Sequence, residues 1–266
     1  MSLIQNKMYQ TIVPFLVGML TLSAFGVEEF SVGPEAFDPK GGHIQGIAAT
    51  HDALYLTQKT RIVKVDWNGN VLKTLKVQNH TGDISYHDGK LYTAIAVFPA
   101  KKEGCIQVFD EDLNLLKQTT VDRTIDGIGC LDGVLYVGMG AKEQPSNQPH
   151  RVNILGRFDA QTLKEIAPRV DFDYGYETKF GFQNITTDGQ VIYASFYGAG
   201  KAPNIAVFDK DLNILGTSPY PAYQGFDIMP QSLTGGKLVF IRARNKFSKN
   251  RELTCYLKFP TITINK

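Results

Sequence analysis

Short apolar runs alternate with Asp-Gly type turns along most of the chain, and the alternation recurs as a unit. His43-Ile44-Gln45-Gly46-Ile47 leads to Thr50-His51-Asp52-Ala53-Leu54-Tyr55, and His80-Thr81-Gly82-Asp83-Ile84 leads to His87-Asp88-Gly89-Lys90-Leu91-Tyr92. The pattern returns as Asp126-Gly127-Ile128 with Asp132-Gly133-Val134-Leu135-Tyr136, and as Gln183-Asn184-Ile185 with Asp188-Gly189-Gln190-Val191-Ile192-Tyr193. A weaker copy is Phe226-Asp227-Ile228 with Gly235-Gly236-Lys237-Leu238-Val239-Phe240. Two apolar runs flanking residues that tolerate positive φ predict a β-hairpin in each copy.

A second unit follows each hairpin. Val65-Asp66, Phe109-Asp110, Phe158-Asp159 and Phe208-Asp209 close a third apolar run ahead of a fourth. An Asp in that position can accept hydrogen bonds from the backbone of the next turn, which assigns these four carboxylates to turn chemistry. Four short strands per unit, repeated, predict an all-β fold: a β-propeller with four antiparallel strands per blade.

The residue before the Ile of each first strand falls at 46, 83, 127, 184 and 227, in steps of 37, 44, 57 and 43. These are blade-sized intervals, and the two chain ends together supply one shared unit. The spacing predicts five blades, with six as the alternative, and a ring closed by the N-terminal strand Glu28-Glu29-Phe30-Ser31-Val32. Thr261-Ile262-Thr263-Ile264 competes for that outer-strand position.

In a propeller the first strand of each blade lines the central channel. Loops leading into it share one face, here called upper, with the loops joining second to third strands. Loops on a rigid scaffold are where sites are usually built, so the upper face is the predicted site. The aligned positions there supply His43, Gln45, His80, Asp83, Asp126, Gln183, Asn184, Gln224 and Asp227. His43, His80, Asp83 and Asp227 are the candidate metal ligands: Ca²⁺ if carboxylate and amide oxygens dominate, a transition metal if both imidazoles turn inward. The alternative is that these groups bond backbone and ordered water in a wet channel. His51 and His87 fall in turns of the opposite, lower face.

The segment from Asp171 to Phe182 mixes acids with rings, and the approach to the last unit, Tyr220-Pro221-Ala222-Tyr223-Gln224, continues the theme. Tyr174, Tyr176, Tyr197 and Tyr223 are candidate ligand contacts, since aromatic faces beside hydrogen-bonding groups suit a flat polar ligand such as a saccharide. They equally suit capping of the spaces between blades. A last loop carries Arg242, Arg244, Lys246, Lys249 and Arg251, either steering an anion or solvated. Asn79-His80-Thr81 and Asn184-Ile185-Thr186 match the glycosylation pattern but lie at channel-lining positions, where a glycan does not fit.

Composition adds compartment and partners. Lys7 precedes the apolar run from Thr11 to Leu20, and Ser23-Ala24-Phe25-Gly26 follows, which predicts a signal peptide over 1–26 and a propeller domain over 27–266. An uncleaved anchor is the alternative, although the run is shorter than a membrane span needs. Loss of Lys7 takes the formal charge from +2 to +1, which argues against nucleic acid as a partner. The mature chain is expected to be a monomer in an extracytoplasmic compartment, without a membrane attachment. Cys105, Cys130 and Cys255 occupy strand positions suited to small apolar residues, as buried thiols, with a Cys105–Cys130 disulfide as the alternative. No Gly-x-Ser-x-Gly, His-Glu-x-x-His, phosphate-binding Gly-rich loop or Cys-x-x-Cys is present.

At His43-Ile44-Gln45-Gly46-Ile47-Ala48 and the Asp-Gly-x-Leu-Tyr hairpins, the chain resembles the broad NHL-like and YncE-like propellers over residues 28–266. That resemblance implies architecture and identifies no activity. Related lactonase propellers hold a divalent metal in the channel, but their ligand pattern is not reproduced residue by residue here. The five-bladed bacterial glutamine cyclotransferases are similar in size and export route, yet their Gly-Glu-Gly type lead into a first strand has no counterpart. Three functions follow as expectations. The first is an exported binding module for a small polar ligand on the upper face. The second is a metal-dependent lactonase-type hydrolase with Asp83, Asp126 or Asp227 as base. The third is a structural or protein-interaction propeller.

Overall fold

The computed structural model describes residues 29–33, 36–38, 42–77, 80–97, 103–141, 147–198, 200–222, 224–247 and 253–258. The expected leader, the Thr261–Ile264 segment, Tyr223, Lys249 and Arg251 lie outside them.

Among the described residues, twenty strands form five four-stranded antiparallel sheets. The first comprises β2 (Ile44–Ala49), β3 (Leu54–Gln58), β4 (Arg61–Val65) and β5 (Val71–Lys76). The second has β6 (His80–His87), β7 (Lys90–Val97), β8 (Glu103–Asp110) and β9 (Leu115–Val121). The third has β10 (Ile128–Leu131), β11 (Val134–Ala141), β12 (Asn153–Asp159) and β13 (Glu165–Phe172). The fourth has β14 (Thr178–Thr187), β15 (Ile192–Gly198), β16 (Ile205–Phe208) and β17 (Ile214–Ser218). The fifth joins both ends of the described chain: β18 (Phe226–Ile228), β19 (Phe240–Phe247) and β20 (Leu253–Lys258), with β1 (Glu29–Val32) added antiparallel to β20. The Val32↔Cys255 pairing therefore ties residues near the two ends into one sheet. This is an all-β propeller.

Inner strands touch in cyclic order, β2 with β6, β6 with β10, β10 with β14, β14 with β18 and β18 with β2. Between each adjacent pair of sheets lies one apolar core. Ile47, Leu56 and Val63 meet Met229 and Ile241 between the first and fifth sheets, and Tyr55 and Ile62 meet Leu91 and Phe109 between the first and second. The densest aromatic packing separates the third and fourth, where Phe172 lies 4.9 Å from Phe208 and 5.3 Å from Phe182, centroid to centroid. Such rings bury large apolar areas and gain further from tilted contacts.

Local chemistry explains the turns. Asp88-Gly89 and Asp132-Gly133 occupy the left-handed region (φ 47° and 72°, 51° and 75°), the geometry that two-residue hairpin turns require. After the third strand, Asp110 Oδ1 accepts the N–H groups of Asp112 and Asn114 at 2.9 and 2.8 Å, and Asp66 and Asp209 repeat the arrangement. Hydrogen bonds from Asn114 and Asn213 hold the Asp110 and Asp209 carboxyls below the usual range. These bonds bend the chain so that Leu113, Leu163 and Leu212 take positive φ (59°, 60° and 70°), where the first unit has Gly69. Leu113 and Leu163 are buried and Leu212 packs against a core, so apolar contact offsets the left-handed strain.

Several expectations need correction. The weaker fifth copy is no simple hairpin, because a helical turn, α1 (Gln231–Thr234), separates β18 from β19. Arg242, Arg244 and Lys246 stand on strand β19 and not in a loop. Much of the Asp171–Phe182 segment is strand too, since β13 runs to Phe172 and β14 begins at Thr178. Cys105 and Cys130, by contrast, are free thiols as expected, half-buried and buried, and the alternative disulfide is not formed.

Candidate functional site

Two buried polar side chains, Asp83 and Asn184, join the inner strands. Asp83, 1% exposed, accepts the Ile128 N–H at 3.0 Å and the Ile185 N–H at 2.8 Å on one oxygen, and the Asn184 amide at 2.8 Å on the other. Asn184 also donates to Gln45 O at 2.7 Å and accepts the Gly225 N–H at 3.2 Å. One carboxylate and one amide thus bridge all five sheets. Burial pushes the Asp83 carboxyl well above its usual range, opposed by those three donors.

Close backbone approach accompanies the bridging. A Cβ on Gly46 would lie 2.7 Å from Asp83 Cα and from Ile84 N, so the first and second inner strands meet with no room for a side chain. Asn184 is fully buried, consistent with its match to the glycosylation pattern being fortuitous.

Asp227 does not lie level with Asp83, as the spacing implied. Its Oδ2 accepts the Ala49 N–H at 2.7 Å and its Oδ1 accepts the Thr186 hydroxyl, which sets it one pleat nearer the lower face. Gly225, bonded to Asn184, takes the level expected of Asp227. Burial pushes the Asp227 carboxyl up to about 6, against the bonds from Thr186 and Ala49. Missing from the sequence reading were Thr186 and Ser85, which the two-residue strand period places two positions beyond Asn184 and Asp83 on the same face.

The other expected residues make contacts of their own. Burial lowers the pKa of His43, opposed by a hydrogen bond with Gln45, and His80 begins β6, half-buried. Asp126 is placed by its backbone, whose carbonyl accepts the Asp83 N–H at 2.8 Å. The Gln183 amide donates to Phe182 O at 3.2 Å. Among the described residues, no group of three His, Cys, Asp or Glu side chains comes together as a metal site. The lone pairs of Asp83 are turned onto N–H groups.

The upper-face aromatics divide into two kinds. Tyr174 is buried, stacked 4.7 Å from Phe196, and its hydroxyl donates to Pro203 O at 2.8 Å. Tyr176 is 43% exposed beside it, at 5.5 Å. Phe180 was not singled out in the sequence. It is 45% exposed, has φ 65°, and meets Tyr197 edge-on at 5.7 Å and 74°. The cause is an irregularity in the β14–β15 ladder between Lys179 and Phe182, completed by Gly181 at φ 81°. A bulge of this kind re-aims a side chain that regular pleating would place elsewhere.

No family model matches the chain, and no curated protein matches it. The fold is similar to that of Myxococcus xanthus glutaminyl cyclase, with TM-score 0.61 and 11% identity over 90% of this chain and 96% of that one. It is also similar to the GH43_1 enzyme from Xanthomonas citri complexed with xylose, with TM-score 0.56 and 13% identity over 92% and 95%. Identities this low convey the shared architecture alone, and the chain is similar in fold to β-propeller proteins.

Proposed function

We propose that this chain is an exported propeller of five blades that binds a small polar ligand with a flat face, a saccharide in the first instance, on its upper face. The observation that carries the reading is Phe180, a bulky side chain left exposed in a left-handed backbone position and braced by Tyr197. Left-handed backbone at a bulky residue is disfavoured by a few kcal/mol at most, on the order of 1–3, and persists where the surroundings or a function hold it. A ring presented this way offers apolar contact to one face of a sugar, with Tyr176 and Tyr197 adding phenol groups. One solved propeller of similar fold is complexed with xylose, so the architecture is compatible with such a ligand. The sequence resemblance to NHL-like and YncE-like propellers is compatible with a binding role.

A glycan array followed by calorimetric titration of the best binder tests the reading. Binding is expected for the native chain and lost in Phe180→Ala and Tyr197→Ala. A flat array, or undiminished affinity in both variants, would remove it.

A further inference from the structure

The lower mouth of the channel is an open cavity of about 480 Å³, lined on its floor by Ser85, Thr186 and Asp227 and at its rim by His51, Asp188 and Gln231. Its size lies within the range of small-molecule sites. Its charge is one-sided. Asp188 and Asp227 line it and no Lys or Arg does, which disfavours an anionic ligand.

The two carboxylates differ in what they can still accept. Asp188 is engaged by its own turn, through the N–H groups of Gln190 and Val191 at 2.9 Å and the Tyr193 hydroxyl at 2.8 Å. Asp227 holds the Ala49 N–H and the Thr186 hydroxyl, one on each oxygen, and a carboxylate has about four acceptor positions. Ser85, on the same cavity lining, is only 9% exposed and its hydroxyl makes no hydrogen bond to a described residue. The hydroxyl itself is accessible from the cavity that Ser85 lines. The Tyr86 hydroxyl, by contrast, is committed to Glu111 at 2.6 Å. The cavity lining therefore offers both a partly desolvated carboxylate and an open hydroxyl, complementary to a group with several N–H donors and a positive charge.

We propose that this cavity binds a small ligand through a primary ammonium group, held by the Asp227 carboxylate with Ser85 as the second acceptor. The site lies at the opposite end of the channel from the aromatic pair and does not depend on it.

Calorimetric titration of the full chain with ethanolamine, with acetamide as the uncharged control, tests the proposal. Saturable ethanolamine binding in the millimolar range or tighter is expected, with none for acetamide. Affinity is expected to fall by about tenfold or more in Asp227→Asn and by a few-fold in Ser85→Ala. Phe180→Ala is expected to bind ethanolamine like the native chain, which separates this site from the upper one. Absence of saturable binding by the folded native chain, or equal affinity in Asp227→Asn, overturns the proposal. Ser85→Ala removes no hydrogen bond between sheets, so unchanged affinity in that variant overturns the two-acceptor geometry even if Asp227→Asn fails to fold.

Discussion

Asn184 donates to the Asp83 carboxylate at 2.8 Å, and this contact joins residues 101 positions apart at the axis of the ring. Ser195, on the neighbouring strand of the same sheet, braces Asn184 through its hydroxyl, while the bonds to Gln45, Asp83 and Gly225 cross between sheets, so the pair acts as a hub that no single sheet could form. Asp83→Ala is expected to lower unfolding free energy by roughly 4 kcal/mol, because it strands three buried donors at roughly 1–3 kcal/mol each with some recovery by water. Urea denaturation followed by fluorescence checks this; a loss under about 1 kcal/mol would mean that the hub is peripheral to stability.

The glycine opposite Asp83 should be as intolerant as the carboxylate. Gly46→Ala places a methyl 2.7 Å from the Asp83 backbone, and backbone cannot swing aside as a flexible side chain can. A loss of roughly 1–3 kcal/mol is expected, measured in the same denaturation. Gly89→Ala, with open space around its Cβ, reports only the cost of its positive φ and is the control.

Asp227 gives stability a pH dependence of unusual sign for a carboxylate. Its folded pKa, about 6, lies above the ordinary unfolded value. Its contribution is therefore fully present below about pH 4 and lost as pH rises through about 6. His43, whose pKa is lowered by burial, acts oppositely in part of this window, so the comparison is between native chain and Asp227→Asn. Relative to the variant, the native chain is expected to lose on the order of 1–2 kcal/mol between pH 4.5 and 7.5. Thermal or urea midpoints across that range check it, and parallel curves would show that the carboxyl titrates normally.

Phe180 should show stability and binding moving in opposite directions. Phe180→Gly relieves a left-handed φ and is expected to hold or raise stability by up to about 1 kcal/mol, while saccharide binding is lost. A variant that is destabilised by more than about 1 kcal/mol would assign the ring to packing instead.

The sequence by itself determined the hairpins, the third-strand Asp turns and the repeat, because these are local. Asp88-Gly89 adopts its turn by virtue of backbone freedom, and Asp110 reaches N–H groups only two and four residues away. The polar character of the channel was equally legible, from Asp83 and Asn184 recurring at matched places. What only the tertiary structure decided was where those groups point and at what depth. Asp227 sits one pleat from the level implied by spacing, because β18 is short and leads into a helical turn. Phe180 is exposed because of a bulge whose register depends on β15. Strand alternation fixes which face a residue takes, but alignment between sheets involves bonds across the axis, from side chains such as Asp83 and from backbone such as Asp126 O. Such bonds exist only once distant segments have met.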